Sequence, residues 1–431
     1  MSGRMVARGN EATMDVRKPP LHEILYKGAE VAQAGERIKR ALEAVRVHLG
    51  MEVAYVSEFI DERAVFREVD APGLEAVIKV GDSLSLDDIY CRHILAGRLP
   101  QLMGDTSTEA VAMALPITTA VPIAKHVSVP IRLGDGRVYG MFCCLGRQPD
   151  RSLNERDLQM MRVFADLAAF EINRDLVAAK ALEDKRARIL NVIEDDQLSL
   201  VYQPIWHVAT RRPIGLECLS RFSAKPHRGP DQWFEEAAEV GHGTMLELAA
   251  VRKVLADLPR VPADLYLAVN ASPETILSPE LAGMLENASA KRIILELTEH
   301  AHVDDYARLL GALQPLRQRG IRLAVDDAGA GYASLQHVLH LQPDLIKLDM
   351  GLTRNIDIDL PRRALASALI SFARETGCRI IAEGVETASE LATLRSLGVE
   401  KAQGYFLGRP MPLTDIATMI DGLEALPPHA A

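Results

Sequence analysis

Polar side chains recur at one position in the β-rich segments of this chain, at or near the end of each segment. They are Gln203, Glu217, Asn270, Glu296, Asp326, Asp327, Lys347, Glu383 and Gln403. Acids gathered at one place repel one another unless cations lie between them. The candidate ligands are carboxylate and amide oxygens, without histidine or cysteine, and such hard ligands favour Mg²⁺ or Mn²⁺ over Zn²⁺.

The adjacent pair Asp326 and Asp327 suggests what such a metal site could do. Neighbouring carboxylates can bridge two ions, and two-metal sites stabilise both the attacking and the leaving oxygen in phosphoryl hydrolysis. Lys347 adds a cation that could hold the attacking water or a phosphate oxygen. The residues therefore predict metal-assisted hydrolysis of a phosphoester.

The elements that must position these side chains begin near residue 198, where short β-rich runs alternate with helical runs. The runs are 198–202, 213–219, 265–269, 292–297, 322–325, 344–348, 379–382 and 401–404. Eight strand candidates in about 235 residues predict an α/β fold, a (β/α)₈ barrel. A doubly wound sheet is the alternative, but it gives no reason for polar residues at every strand end. In a barrel they would meet at the C-terminal mouth.

Taken singly, each residue has an ordinary structural explanation. A Glu near a strand end is usually a surface side chain, and an Asp pair commonly caps a helix or makes a turn. The ordinary explanation would have to hold independently in eight strands, so we reject it for the set.

The motifs around these residues resemble those of EAL domains, in the family's order over most of residues 196–415. They are Tyr202-Gln203-Pro204-Ile205, Glu217-Cys218-Leu219 with Arg221, Asn270-Ala271-Ser272, Glu296-Leu297-Thr298-Glu299, Asp326-Asp327-Ala328-Gly329-Ala330-Gly331-Tyr332, Ile346-Lys347-Leu348-Asp349, Ala382-Glu383-Gly384-Val385-Glu386, and Gln403-Gly404-Tyr405 with Gly408-Arg409-Pro410. The resemblance implies a barrel phosphodiesterase that opens the bacterial second messenger cyclic di-GMP to linear pGpG with two Mg²⁺ or Mn²⁺ ions.

The resemblance also implies a role for each residue. The ligands of one ion would be Glu217, Asn270, Glu296 and Asp326. The second ion would be held by Asp326, Asp327 and Glu383. The catalytic residues would be Glu383, Lys347 and Glu217, with Lys347 and Glu383 orienting and deprotonating the water. The substrate contacts would be Gln203, Arg221 and Gln403, and Gln403 would also support water or metal geometry. Glu299 would brace the loop that follows Asp327.

That loop departs from the commonest family pattern. Ala328 and Ala330 stand where the family usually has Phe and a hydroxyl residue, and Ala333 replaces a frequent Ser. Gly329 and Gly331, which permit the tight turn, are present. The change bears on rate and regulation and leaves the metal site intact.

The N-terminal half has a mixed helix and strand pattern. Residues 22–49 have helical periodicity, 53–59 alternate like a strand, and 127–133 and 138–145 flank a Gly134-Asp135-Gly136 turn. This half resembles GAF domains over about residues 25–172, chiefly at residues 88–100 and at the strand pair. GAF domains bind small molecules or mediate dimerisation. Cys91 and His93 are expected on a helix whose cysteine packs inward, a structural role.

We therefore expect four segments: a loose tail at 1–20, a GAF-like sensory domain at 21–153, a linker or dimerisation helix at 154–195, and an EAL barrel at 196–431. The net charge of −10 argues against a general nucleic-acid binder. Five cysteines without CxxC spacing fit a reducing compartment. Lacking a long apolar segment or signal peptide, the chain is expected to be cytoplasmic.

The expected protein is a homodimeric cyclic di-GMP phosphodiesterase regulated by its GAF domain, whose small-molecule ligand, if any, is unknown. One rival is a cyclic di-GMP receptor with a weak or silent barrel. Another is a two-metal hydrolase of a different phosphodiester. No GGDEF motif is present, so synthesis of the dinucleotide is not expected.

Overall fold

The computed structural model describes residues 34–286, 288–297, 303–328 and 333–424, which form two compact units divided between Ala181 and Leu182. The expected tail at 1–20 and the first part of the predicted helix 22–49 lie outside the described residues. Within the described ranges, no helix is both long enough and apolar enough to cross a bilayer.

The first unit is built on a six-stranded antiparallel sheet in the order β3-β2-β1-β6-β5-β4. Its strands are β1 (Val53–Ile60), β2 (Arg63–Asp70), β3 (Ser83–Ser85), β4 (Leu102–Met103), β5 (Lys125–Arg132) and β6 (Val138–Gly146). The predicted strand, turn and strand are confirmed as the β5–β6 hairpin, where Gly136 adopts a positive φ of 85° that glycine accepts readily.

Helices cover this sheet. They are α1 (Ala34–Leu49), α2 (Tyr90–Leu95), α3 (Ala110–Ala114), α4 (Pro116–Ala120) and the first part of α5 (Glu155–Glu194), with a 3₁₀ turn at Thr106–Thr108. Helix α1 buries Ile38, Leu42 and Val45, which recur at helical spacing, in the same apolar cluster as α5. Cys91 lies on α2 and is buried, as expected, and His93 lies on the same helix.

The second unit is a closed eight-stranded barrel in the order β10-β11-β12-β13-β14-β7-β8-β9. Its strands are β7 (Leu198–His207), β8 (Arg212–Phe222), β9 (Tyr266–Asn270), β10 (Ile293–Leu297), β11 (Arg322–Ala328), β12 (Leu345–Leu348), β13 (Arg379–Ala382) and β14 (Lys401–Ala402). The predicted barrel is confirmed, with one difference from a regular (β/α)₈ fold: β7 runs antiparallel to both neighbours, β8 and β14. The short β7–β8 connection explains this, because it makes a hairpin.

The barrel helices are α6 (Pro230–Glu239), α7 (Gly243–Asp257), α8 (Pro273–Ile276), α9 (Pro279–Leu285), α10 (Tyr306–Gln318), α11 (Ala333–Leu341), α12 (Met350–Thr353), α13 (Leu360–Thr376), α14 (Ala388–Ser396) and α15 (Leu413–Glu424), with 3₁₀ turns at Leu258–Arg260 and Ala290–Arg292. Many begin at a side-chain cap; in α14, Thr387 and Glu390 form a reciprocal capping box.

Alternation along the strands sorts the barrel interior into layers. One inward layer is apolar and includes Ile205, Ala268, Ile294, Ala324, Leu345 and Ile381. Two residues farther toward the mouth, the same faces carry the polar residues singled out from the sequence. The apolar layer therefore forms the floor of the polar site.

Candidate active site

The polar layer receives one side chain from each of the eight strands or from the residue that follows it. Asn270 pairs with Glu296 in neighbouring strands, and Gln203 pairs with Glu217. Gln203 does not follow its strand, as the sequence suggested, but lies in the middle of β7. It still reaches this layer, because β7 runs in the opposite direction to the parallel strands and crosses the layer halfway along.

Lys347 lies at the centre of this layer and is 0% exposed. Its Nζ is 2.8 Å from Glu383 Oε1, 2.9 Å from Asp326 Oδ1, and 3.1 Å from both Glu217 Oε1 and Glu296 Oε2. An ammonium in contact with four carboxylates offsets much of the repulsion that burial would otherwise make costly.

Gln403 connects two of these acids. Its Nε2 donates hydrogen bonds to Glu217 Oε2 at 2.7 Å and to Glu383 Oε1 at 3.0 Å. These bonds fix the orientation of two carboxylates and leave Gln403 Oε1 buried, without a hydrogen-bond partner in the part of the chain that the structure describes. Gln403 thus hydrogen-bonds to two of the acids, whereas Gln203 donates a hydrogen bond to the backbone carbonyl of Gly408 at 3.1 Å.

The close packing of these charged groups shifts the pKa values of several of them. Burial raises the pKa of Glu296 well above its usual range; Lys347 opposes the shift, and Glu217 and Asp326 add to it. Burial likewise raises the pKa of Glu383. For Lys347, burial alone would lower the pKa, but its carboxylate neighbours raise it well above the usual value. The cluster holds more negative charge than one ammonium balances.

Two sets of acids could each hold a metal ion. Carboxylate oxygens of Glu217, Glu296 and Asp326 lie within 4.8 Å of one another, as do those of Asp326, Asp327 and Glu383. Asp326 belongs to both sets. Asp327 has a positive φ of 53° and lies within the irregular step of the β11–β12 pairing between Val325 and Ala328. Asn270 Oδ1 and Glu296 Oε1 are buried and have no hydrogen-bond partner among the described residues.

These observations test whether divalent cations fit the residues present. A buried oxygen without a partner is costly, and a cation would satisfy both Asn270 Oδ1 and Glu296 Oε1. The donors are all hard oxygens, which suit Mg²⁺ or Mn²⁺. The residues therefore fit hard divalent cations.

A cavity of about 410 Å³ opens beside the acids and is lined by Arg221, Asn270 and Asp326. Its other walls include Asp231, Phe234 and Glu247, which the sequence reasoning missed. Glu247 accepts a hydrogen bond from Ser272 N at 2.8 Å and so holds the segment that follows Asn270. Residues 231 and 234 lie on α6 and residue 247 on α7, so no strand-end pattern could reveal them. Gln203 is not among the residues that line this cavity.

The altered loop is described only at its edges. Ala328 ends β11 and is fully buried in an apolar cluster with Val325, Val338 and Leu348. Glu299 and residues 329–332 lie outside the described residues, so the predicted brace between Glu299 and this loop remains a prediction.

The chain matches two known domain families and is similar in sequence to several known proteins. A model described as "EAL domain" matches residues 186–410, and one described as "GAF domain" matches residues 34–173. The chain is 31% identical over 390 residues to "Cyclic di-GMP phosphodiesterase NbdA" of Pseudomonas aeruginosa, covering 86% of this chain and 47% of that protein. It is 34% identical over 236 residues to an "Uncharacterized signaling protein" of Caulobacter vibrioides, covering 53% and 29%. The chain therefore spans less than half the length of either relative.

Among solved structures, the barrel resembles an EAL domain protein from Listeria monocytogenes EGD-e. The TM-score is 0.50 at 20% identity, over 55% of this chain and 97% of that one. At this identity the likeness concerns the fold, and it agrees with the closed barrel described above.

Proposed function

The chain belongs to the EAL-domain family, with a GAF domain N-terminal to the EAL domain, and from this we propose that its barrel hydrolyses cyclic di-GMP to linear pGpG. The observation that carries the proposal is the layer in which four carboxylates contact Lys347, together with Asp327 and Asn270, beside a cavity lined by Arg221. The relative NbdA, named as a cyclic di-GMP phosphodiesterase, supports the choice of substrate.

Two Mg²⁺ or Mn²⁺ ions belong to this proposal. Residues proposed to hold the first are Glu217, Asn270, Glu296 and Asp326; those for the second are Asp326, Asp327 and Glu383. When bound, the ions supply positive charge at the scissile phosphate and acidify water at the site.

The protein's own residues position and activate the attacking water. Lys347 Nζ and Glu383 Oε1 lie 2.8 Å apart, so a water held by the ammonium would be within reach of a carboxylate that can take its proton. Gln403 orients Glu383 and Glu217 through its two hydrogen bonds, which keeps the accepting oxygen in place. Arg221, on the wall of the cavity, would bind a phosphate of the substrate. Gln203 would support the mouth through Gly408.

The first unit offers a place for a regulatory ligand. The first unit encloses a cavity of about 530 Å³ whose lining includes Tyr55, Phe66, Tyr90, Cys91 and His126. A cavity of this size can hold a small molecule. We propose that this GAF domain regulates the barrel within a homodimer, through α5, which continues from the first unit into the second.

Conversion of cyclic di-GMP tests the enzymatic proposal. Purified protein is incubated with cyclic di-GMP and Mg²⁺ or Mn²⁺, and the products are separated by chromatography. Linear pGpG should form, excess chelator should stop it, and Glu217→Ala should abolish it. Glu375→Ala, which changes an exposed acid of α13, is the matched control and should keep full activity. Tight binding without product would favour the receptor alternative, and full activity in chelator would contradict the metals.

A further inference from the structure

Three basic residues begin strands of the barrel at the mouth opposite the candidate active site. Arg322 begins β11, Arg379 begins β13 and Lys401 begins β14. These strands run parallel, so their first residues lie together at the N-terminal mouth. Arg322 and Arg379 each come two residues before a member of the apolar inner layer, Ala324 and Ile381, so alternation directs them toward the barrel axis. We call these three basic side chains the lower cations.

The lower cations lie close enough to affect one another. Arg322 Cζ is 4.7 Å and Lys401 Nζ 5.8 Å from the centre of the Tyr266 ring, so one aromatic ring has both cations beside it. Burial, and then Arg322 and Arg379, lowers the pKa of Lys401, and burial, with Arg379 adding to it, lowers the pKa of Arg322. Like charges gathered in this way repel one another unless an anion lies between them.

The described part of the chain supplies no such anion. None of the lower cations forms an ion pair with another described residue. Asp344, which raises the pKa of Arg322, accepts a hydrogen bond from a backbone N–H of β11 at 2.8 Å. Glu400, which raises the pKa of Lys401, is exposed to solvent. The hydroxyl of Tyr266 is buried and has no hydrogen-bond partner among the described residues. A buried ammonium and a buried hydroxyl are therefore both available to an external acceptor.

Exposure decreases from the rim of this mouth inward. Arg379 is exposed, Arg322 is half-buried and Lys401 is only 5% exposed. An anion could therefore approach from solvent beside Arg379 and reach the buried ammonium. Guanidinium groups bind phosphate oxygens through paired hydrogen bonds, and an ammonium adds a compact positive charge, so this set of donors suits a phosphate group.

We propose that the lower cations, together with the Tyr266 hydroxyl, bind a phosphate group at the N-terminal mouth of the barrel. Residues at this mouth of a barrel usually serve stability. A buried ammonium without a partner has the opposite effect, because the cost of removing it from water is not offset. Residues that lower stability are typical of binding sites, where a ligand completes the interaction. The proposal concerns the mouth opposite the acids and does not depend on hydrolysis of cyclic di-GMP.

Thermal unfolding of the full-length chain in chelator at pH 7 tests the site, with chloride used to keep the ionic strength constant. Inorganic phosphate should raise the midpoint of unfolding in a saturable way, as a ligand of the folded state does. Lys401→Met and Arg379→Gln should each raise the apparent dissociation constant for phosphate at least tenfold. Arg252→Gln, which changes an exposed arginine of α7, is the matched control and should leave that constant unchanged.

A variant at the other mouth shows where phosphate binds. Arg221→Ala should leave the phosphate effect intact; loss of the effect in this variant, with retention in Lys401→Met and Arg379→Gln, would place the anion in the active-site cavity and overturn the inference. Equal stabilisation by chloride alone would also overturn it. A parallel titration with GMP identifies the source of the phosphate group. Stabilisation by GMP at lower concentration than by inorganic phosphate indicates a nucleotide, and the reverse order indicates the free ion.

Discussion

Two buried lysines of the same barrel should respond in opposite ways to the same substitution. Lys347 contacts four carboxylates at 2.8–3.1 Å, whereas Lys401 is 5% exposed and has no ion pair among the described residues. Lys401 lies instead 5.8 Å from the centre of the Tyr266 ring, near Arg322 and Arg379. Methionine has a similar length without the charge. We therefore expect Lys347→Met to destabilise the metal-free barrel and Lys401→Met to stabilise it.

The expected magnitude at Lys347 comes from the acids left behind. Removing one partner of a buried ion pair costs about 3–5 kcal/mol, because the remaining charge stays buried without compensation. At about 2–4 °C per kcal/mol for a unit of this size, the midpoint of unfolding should fall by roughly 6–20 °C.

The magnitude at Lys401 comes from its pKa. Burial, and then Arg322 and Arg379, lowers the pKa of Lys401 from 10.5 to about 8. A lysine pKa lowered from 10.5 to about 8 corresponds to a destabilisation of at most about 3.4 kcal/mol, and relaxation around the charge reduces this to about 1–3 kcal/mol. The unfolded chain holds the proton more tightly than the folded one, so the penalty is complete below pH 8. It declines between pH 8 and 10.5, and the gain from Lys401→Met should decline with it.

Tryptophan fluorescence provides the assay, because both tryptophans of the chain, Trp206 and Trp233, lie in the barrel unit. Thermal unfolding is followed in chelator at pH 7 for the wild type and both variants, and at pH 9.5 for Lys401→Met. Stability changes of the same sign at both positions would refute the reasoning, since they would show that the ion pairs of Lys347 do not decide the outcome. A gain at Lys401 that is independent of pH would refute the electrostatic explanation at that site.

Three other predictions concern the site directly. Asn270→Ala should reduce Mn²⁺ affinity at least tenfold by titration calorimetry, since it removes a buried oxygen that no described residue hydrogen-bonds, and unchanged affinity would exclude Asn270 as a ligand. Arg221→Ala should mainly raise KM while Lys347→Met mainly lowers kcat, and effects on KM alone for both would contradict the role given to Lys347. Ca²⁺ should inhibit turnover in competition with Mg²⁺, because it requires longer bonds and looser geometry, and equal turnover with either ion would contradict a site built for small cations.

The sequence predicted the barrel and the polar layer because both depend on repetition. The positions of Asn270 and Glu296 at or next to the ends of their strands follow from period-two alternation in parallel strands that share one mouth. Glu217 was expected late in a strand over 213–219 but lies in the middle of β8, which extends to Phe222. Gln203 was placed at the end of a strand because nothing local in β7 shows its direction; only its pairing with Glu217 does. Glu247 could not be found, because it reaches the site from a helix through a hydrogen bond to Ser272, which is a tertiary contact.

Lys347 and Lys401 show that a sequence pattern can place residues in a barrel without showing whether each one stabilises the fold. Each lies in a strand of the barrel, two residues from a position of the neighbouring layer. Lys347 belongs to the layer that holds the acids, so its ammonium lets four carboxylates lie close together before any metal is bound. Lys401 belongs to the layer below, where Ile381 and Ile205 leave its charge uncompensated. Two residues along a strand separate these layers. A lysine in the upper layer therefore makes a buried acidic site compatible with folding. A lysine in the lower layer destabilises the fold, because the free-energy cost of desolvating a charge is offset only where that charge has a partner of opposite sign.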